Sequence, residues 1–417
     1  MNNVLTKTET NQFRQTVAKS DQPVLAGMEG EKRKNVPEPF PPSIRPTPSA
    51  DNCIHLDAAR LRRAAWAFTT RRVPGEIARV APASQACAPR AGDLVLARVD
   101  VLGHHSKLQL ANGRRRQLFV GDEIVVAYGN RYASNQFEAL IPDILEPCHL
   151  VAGGGIASRA LSWHDRIEKG PTHITPISLL VDAGGERINL RDFAIAPADP
   201  LSGPHPATVA VVGTGMDSGK THTAAYFVKG LIGAGLRAGY GKITGTGAGG
   251  DTWLLKDAGA SPVLDFTDAG MATTYMASPE EVEVVLKTIV GNIAHDGVDV
   301  IVLEVADGVF QRETAALLRS SLFARIVSGI VFAARDAMGA SSGVGWLRPQ
   351  SPQVLALSGV LSAAPLQSRE AEAAMALPVY TKEDLNTPGI AIELLGRARH
   401  CIGTRCPETS RVMSEQR

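Results

Sequence analysis

The sequence has few of the features that mark specialised classes of protein. It has 5 cysteines in 417 residues, at irregular positions, which excludes a disulfide framework and fits a reducing cytoplasm. It has no run of ~18 apolar residues that would predict a membrane span, and its N-terminal residues lack the apolar core of a secretion signal. Its 43 basic and 42 acidic residues give a net charge of +1, so the overall charge attracts neither nucleic acid nor an anionic membrane. We therefore expect a cytoplasmic protein with neither of these partners.

Composition divides the chain into segments, and its length predicts more than one domain. Residues 1–50 are polar and proline-rich, which predicts a disordered tail. Residues 51–194 are predicted to form a β-rich N-terminal domain. Residues 195–206 contain four prolines and are the linker candidate. Residues 207–400 are predicted to form an α/β domain, and residues 401–417 a second tail.

The N-terminal half is rich in short strand patterns. Strands are predicted over 93–102 and 123–128, and Asn112-Gly113 predicts a hairpin between them. Short strands joined by glycine-rich turns are typical of a small barrel-like module. Helices are also predicted over 55–69 and near Ser158–Ile167, and an anion at the N-terminus of the second helix is one hypothesis for Gly153–Gly155.

The C-terminal half alternates strands and helices. Its strand patterns are apolar on both faces, which predicts a parallel sheet covered by helices on both sides. The fold class is therefore α/β, with a parallel-sheet domain after the small β-rich one. The predicted strands cover residues 207–212, 237–243, 298–303, 326–333 and 354–360, and the predicted helices include 223–232 and 280–294.

A phosphate-binding loop is predicted between the first of these strands and its helix. The sequence GTGMDSGKT occupies residues 213–221. Glycines let backbone N–H groups turn toward an oxyanion, and the N-terminus of the following helix favours negative charge. Lys220 would reach the β- and γ-phosphates, and the Thr221 hydroxyl would hold Mg²⁺. Thr214 stands where the usual pattern has glycine. The predicted nucleotide-binding residues are Gly213, Thr214, Gly215, Met216, Asp217, Ser218, Gly219, Lys220, Thr221 and His222.

This loop resembles that of dethiobiotin synthetase, as does the next strand pattern, AGYGKITG at residues 238–245. The similarity covers residues 207 to about 315 and implies the branch of P-loop NTPases that also includes the cobyrinate amidases and the MinD/ParA ATPases. The MinD/ParA signature lysine is replaced by Gly215. The resemblance implies a metal-linked glutamate at Glu304, a strand-end lysine at Lys242, and a downstream acid at Asp251.

Each of these three residues also has a simpler interpretation. Glu304 follows a predicted strand and could instead cap a loop or make a surface salt bridge. Lys242 could clamp an anion or be a solvated lysine. Asp251 could be a second metal-side acid or the N-cap of a helix beginning at Thr252.

Three functions are compatible with this pattern, the third being a nonenzymatic partner-binding protein whose nucleotide is structural. The first is an enzyme that uses Mg²⁺ and ATP to phosphorylate or activate a small carboxylate or carbamate, as the resemblance implies. Its catalytic residues would be Lys220, Lys242 and Glu304, its metal ligands Thr221, Glu304 and Asp251, and its partners a nucleoside triphosphate and a small-molecule acceptor. The second is a nucleotide-dependent switch or metallochaperone-like protein acting on a protein partner. ATP and GTP both stay open, as does a homodimer.

Overall fold

The computed structural model describes residues 58–80, 88–201, 205–349 and 352–405, with side chains up to residue 400. The predicted N-terminal tail lies outside these residues. No helix in these ranges is long and apolar enough to cross a membrane.

The N-terminal half is dominated by a nine-stranded sheet. Its pairings close on themselves. Strand β6 (Glu123–Tyr128) pairs with both β3 (Leu94–Val101) and β10 (Ile156–Trp163), and β10 continues through β9 (Cys148–Ala152) and β11 (Thr172–Val181) back to β3. Two apolar clusters fill this half. Its elements are helix α1 (Ala58–Arg63) and strands β1 (Ala65–Trp66), β2 (Arg79–Val80), β3 (Leu94–Val101), β4 (Lys107–Gln109), β5 (Arg115–Gln117), β6 (Glu123–Tyr128), β7 (Arg131–Tyr132), β8 (Phe137–Leu140), β9 (Cys148–Ala152), β10 (Ile156–Trp163) and β11 (Thr172–Val181).

One helix prediction in this half is confirmed in part and another is wrong. Within the described residues, the helix predicted over 55–69 is present over Ala58–Arg63 and ends there, because Ala65 and Trp66 pair with β6. The helix predicted near Ser158–Ile167 is strand β10, which pairs with β6, β8 and β9. The strand predictions and the β4–β5 hairpin are confirmed.

The C-terminal half is a six-stranded parallel sheet in the order β14-β13-β15-β12-β16-β17. One apolar cluster lies on each face, so helices cover both sides as predicted. The strands are β12 (Ala207–Gly213), β13 (Ala238–Thr244), β14 (Val263–Asp265), β15 (Val300–Val305), β16 (Gly329–Ala333) and β17 (Val354–Ser358). The helices are α2 (Lys220–Gly233), α3 (Gly249–Asp257), α4 (Pro279–His295), α5 (Arg312–Arg319), α6 (Ser321–Ile326), α7 (Ala337–Leu347), α8 (Pro365–Met375), α9 (Lys382–Leu385) and α10 (Pro388–Arg405).

The segment between the two halves packs on the second. Its described residues have no regular secondary structure. The Asn292 side chain in α4 donates to the Ala196 carbonyl at 2.9 Å, and Gly291 lies against the Ala198 backbone. Residues 401–405, predicted as part of a tail, continue helix α10. The predicted domain boundaries stay a prediction.

Candidate functional site: a phosphate loop facing a cleft

The phosphate loop lies at the carboxyl edge of the parallel sheet, between β12 and α2. Gly219 has a φ of 96°, and an added Cβ would lie 2.9 Å from Gly359. A Cβ on Gly213 would lie 2.5 Å from the Ser218 hydroxyl. Val360 donates its backbone N–H to the Ser218 carbonyl at 3.0 Å. The glycines are therefore required where the loop is packed closely against the next crossover.

Lys220 is directed back across the loop. Lys220 is only 6% exposed. Its Nζ donates to the Gly215 backbone carbonyl at 2.8 Å and to the Asp307 backbone carbonyl at 2.6 Å. Burial lowers the pKa of Lys220 below its ordinary value, although Glu304 and Asp307 act in the opposite direction. Among the described residues its hydrogen-bond acceptors are these two neutral carbonyls, so its positive charge is available to an anion in the loop.

Glu304 lies inside β15 rather than after it, and it is 1% exposed. Its carboxylate accepts hydrogen bonds from Thr221 Oγ1 at 3.2 Å and from Tyr240 Oη at 2.8 Å. The parallel register explains this placement, because Glu304 pairs with Val211 on one side and Lys242 on the other. The predicted metal-side pair of Thr221 and Glu304 is thus brought together.

Lys242 and Asp251 form an ion pair with each other, and Lys242 Nζ also lies 3.1 Å from Glu304 Oε1. Burial acts to lower the pKa of Lys242, but the two carboxylates outweigh it and raise that pKa. The solvated interpretation of Lys242 is wrong, since the residue is 9% exposed. The N-cap interpretation of Asp251 is also wrong, because α3 begins at Gly249.

A cleft of about 790 Å³ separates the loop from the N-terminal sheet. The C-terminal side contributes residues 216–222, Lys242, Asp251, Glu304 and Asp307. The N-terminal side contributes His104, His105, Lys107, Gln109, Arg115, Arg131, Tyr132, Gln136, Gly153 and Gly154. The sequence predictions included none of these N-terminal residues except Gly153 and Gly154, because nothing in their local pattern shows that they face residues 216–222.

Several contacts hold the two sides of the cleft together. Arg71 bridges to Asp265 at 3.1 Å and to Asp268 at 2.7 Å, and Gln109 accepts from the Gly249 N–H at 2.8 Å. A Cβ on Gly154 would lie 1.9 Å from the Gly247 carbonyl oxygen. The hypothesis of an anion at a helix N-terminus after Gly153–Gly155 is wrong, since β10 follows; the turn instead allows this close approach.

Loop residue Asp217 also connects the two halves. It has a φ of 59°, its carboxylate accepts from Asn135 Nδ2 at 2.5 Å, and it lies 3.7 Å from Arg335 Nη2. Asp336, which follows Arg335 in the chain, caps helix α7 by accepting from the Gly339 N–H. The loop therefore touches both the β-rich half and the loop that follows β16.

No family model and no curated protein matches this chain. Among solved structures, it is similar to the Signal Recognition Particle 54 kDa protein from Aeropyrum pernix K1 in complex with GDP, with 16% identity and a TM-score of 0.33 over 52% of this chain and 53% of that protein. It is also similar to the receptor FtsY from Elizabethkingia anophelis in complex with GDP, with 16% identity, a TM-score of 0.32, and 46% and 64% of the two chains covered. It is also similar to chloroplast FtsY from Physcomitrella patens, with 14% identity, a TM-score of 0.30, and 50% and 70% of the two chains covered. The chain spans about half the length of the first of these structures.

The parallel sheet and the strand–loop–helix at 207–233 are those of a P-loop NTPase fold. This assignment depends on the loop geometry and the sheet register described above. The dethiobiotin synthetase-like branch stays a prediction.

Proposed function

We propose that this protein binds a nucleoside triphosphate in the loop at 213–221 and uses it to phosphorylate a small carboxylate or carbamate in the adjacent cleft. The observation that carries the proposal is the buried Lys220, whose ammonium group spans the loop and, in the described part of the chain, donates hydrogen bonds to two neutral carbonyl oxygens. A triphosphate would replace these neutral acceptors with charged ones, which make stronger hydrogen bonds. The P-loop position at the carboxyl edge of β12 agrees with this role.

The residues near Thr221 fit a magnesium ion. Mg²⁺ prefers oxygen ligands and keeps several waters and phosphate oxygens around it. Thr221 and Glu304 supply a hydroxyl and a carboxylate that already lie 3.2 Å apart. In the part of the chain that the structure describes, no group of three or more His, Cys, Asp or Glu could form an all-protein metal cage. When bound, the ion would neutralise charge on the phosphates; Asp251 stays a predicted third ligand.

The proposed reaction is an in-line transfer. An acceptor oxygen attacks the γ-phosphorus, the bond between that phosphorus and the β–γ bridging oxygen breaks, and the nucleoside diphosphate leaves with the bond's electrons. With a carboxylate acceptor the product is an acyl phosphate. The chain contributes mainly positioning and charge, through the loop amides and Lys220. Lys242 would act indirectly, because its ammonium group positions Glu304.

The test is nucleotide binding by Lys220→Ala, followed with fluorescent ATP and GTP analogues. We expect affinity to fall about 10- to 100-fold, since a charge-assisted contact to phosphate is lost. Lys229→Ala is the matched control, because Lys229 is an exposed lysine on the same helix. Unchanged affinity in a folded Lys220→Ala protein would sink the proposal.

A nucleotide-dependent switch is the second candidate. The observation that favours it is Asp217, which links the loop to Asn135 and Arg335. A change of loop conformation on hydrolysis would reach both halves through these contacts. Nucleotide turnover that does not change when small carboxylates are added, but rises when a protein partner is added, would favour the switch over the enzyme.

A further inference from the structure

The N-terminal wall of the cleft contains a buried cation that forms no salt bridge to a carboxylate of the described residues. Arg131, in β7, is 6% exposed and lines the cleft. Within the described ranges 58–80, 88–201, 205–349 and 352–405, no carboxylate oxygen lies within the 4.0 Å limit of a salt bridge to it. A buried guanidinium without a counter-charge is costly, so this arrangement requires an explanation.

Neutral neighbours satisfy only part of its hydrogen-bonding capacity. Arg131 Nη2 donates to Gln136 Oε1 at 2.5 Å, and its Nε has no acceptor among the residues that the structure describes. Arg131 Nη1 lies 3.1 Å from His105 Nε2. That imidazole nitrogen also lies 3.0 Å from the Val151 carbonyl oxygen. If His105 Nε2 carries a proton for Val151, it cannot accept from Arg131. A guanidinium has five N–H donors, and at most two of these contacts accept from it.

The surroundings of Arg131 hold it in place without neutralising it. Its guanidinium carbon lies 5.9 Å from the centre of the Phe137 ring. Burial and the neighbouring Arg131 both lower the pKa of His105 well below its usual range, so the imidazole is neutral and adds no second charge. Asp307, across the cleft, is the carboxylate that influences Arg131, and it does so from beyond salt-bridge distance. Arg131 therefore lines the cleft with its charge uncompensated on its own wall, and the carboxylate that acts on this charge lies on the opposite wall.

We propose that Arg131 forms an oxyanion subsite for the second substrate, with Gln136 and His105 as positioning residues. The ligand class is a small molecule with a carboxylate or phosphate group, bound by the guanidinium through paired N–H donors. This inference rests on the proposed function, because the cleft then holds the nucleotide on the loop side and the acceptor on the β-rich side. The same chemistry could come from the γ-phosphate of the nucleotide, so the experiment separates the two sources.

The experiment measures binding of radiolabelled inorganic phosphate by equilibrium dialysis while a magnesium complex of a β,γ-imido ATP analogue fills the loop. We expect saturable phosphate binding that Arg131→Met weakens by about tenfold or more, since a charged hydrogen-bond donor is lost. Arg115→Met is the matched control, because Arg115 lines the same cleft but is exposed. The Arg115→Met variant should weaken phosphate binding by less than about fivefold, as expected for a solvated charge.

Three outcomes would overturn the subsite. The dialysis is also run with magnesium and ADP in the loop. Phosphate binding that is seen with ADP but disappears with the imido analogue assigns Arg131 to the γ-phosphate. Equal losses in the Arg131 and Arg115 variants indicate only general attraction in the cleft. Unchanged phosphate affinity in a folded Arg131→Met or Arg131→Gln protein excludes a role for the guanidinium, and the second variant keeps a polar side chain in case the first does not fold.

Failure of the proposed function gives a different result. If the wild-type protein binds no nucleotide, the dialysis is repeated with Lys220→Ala, which removes the charge of the loop. Phosphate binding that still depends on Arg131 in this background supports the subsite while the nucleotide proposal fails. Phosphate binding that does not depend on Arg131 there overturns the subsite as well.

Discussion

Two buried cations on opposite walls of the cleft, Lys242 and Arg131, are compensated in opposite ways. On the sheet wall, Lys242 is 9% exposed and has two carboxylates, Asp251 and Glu304, as partners. On the β-rich wall, Arg131 is equally buried and has an amide and an imidazole instead. Because a buried charge is stable only when it is compensated, the cluster of Lys242, Asp251 and Glu304 is electrostatically complete by itself. The β-rich wall becomes complete when an anion binds.

The first prediction breaks the compensated side. Lys242→Met removes the cation from Glu304, which is 1% exposed, and leaves a buried carboxylate without its ion pair. We expect a loss of about 3–5 kcal/mol in unfolding free energy, measured by urea denaturation with circular dichroism. Lys229→Met, at an exposed position on α2, should change it by less than about 0.5 kcal/mol. A loss no greater than that of the control would mean that the ion pair contributes nothing.

The second prediction concerns Glu304 itself. Glu304→Gln keeps the side-chain shape and one acceptor oxygen, which serves either Thr221 or Tyr240, but removes the charge. We expect nucleotide affinity within about threefold of wild type and Mg²⁺-dependent turnover about 100-fold lower, comparable to the loss of one electrostatic contact in a transition state. Turnover is measured as phosphate release at several Mg²⁺ concentrations. Unchanged turnover would remove Glu304 from the mechanism.

The sheet wall was more predictable from the sequence than the β-rich wall, for physical reasons. Strands buried on both faces give continuous apolar runs, and the loop between β12 and α2 has a local glycine pattern. The helix predicted near Ser158–Ile167 is wrong because β10 has a register shift between Ala160 and Ser162, which disrupts the alternation typical of a strand.

Arg131 could not be recognised at all from the sequence. Strand β7 has only two residues and no periodicity to read. Its position opposite the loop depends on tertiary contacts such as Arg71 with Asp265 and Gln109 with Gly249, which join residues far apart in the chain. Which charges surround a buried arginine is visible only once the fold is known.

The third prediction sharpens the contrast between the walls through its sign. Arg131→Met removes a buried charge that forms no salt bridge within the described part of the chain, and it keeps most of the apolar stem. In chloride buffer without phosphate or carboxylates, we expect unfolding free energy to rise by about 1–2 kcal/mol, since an uncompensated buried charge is destabilising. The Lys242→Met protein, measured in parallel, should change in the opposite direction. A loss of stability in both variants would show that Arg131 is a structural residue and that the two walls do not differ.

The smallest expected effect comes from a neutral contact on the compensated wall. Tyr240 is fully buried and donates its hydroxyl to Glu304 Oε2 at 2.8 Å. Tyr240→Phe keeps the ring and removes this one donor, while Lys242 and Thr221 still contact the other carboxylate oxygen. We expect a loss of about 1 kcal/mol in unfolding free energy, measured by urea denaturation. Because the charge compensation by Lys242 is intact, Tyr240→Phe should cost much less than Lys242→Met. If the two variants lose equal stability, the hydroxyl rather than the ion pair stabilises Glu304, and the sheet wall is not held together by compensated charge.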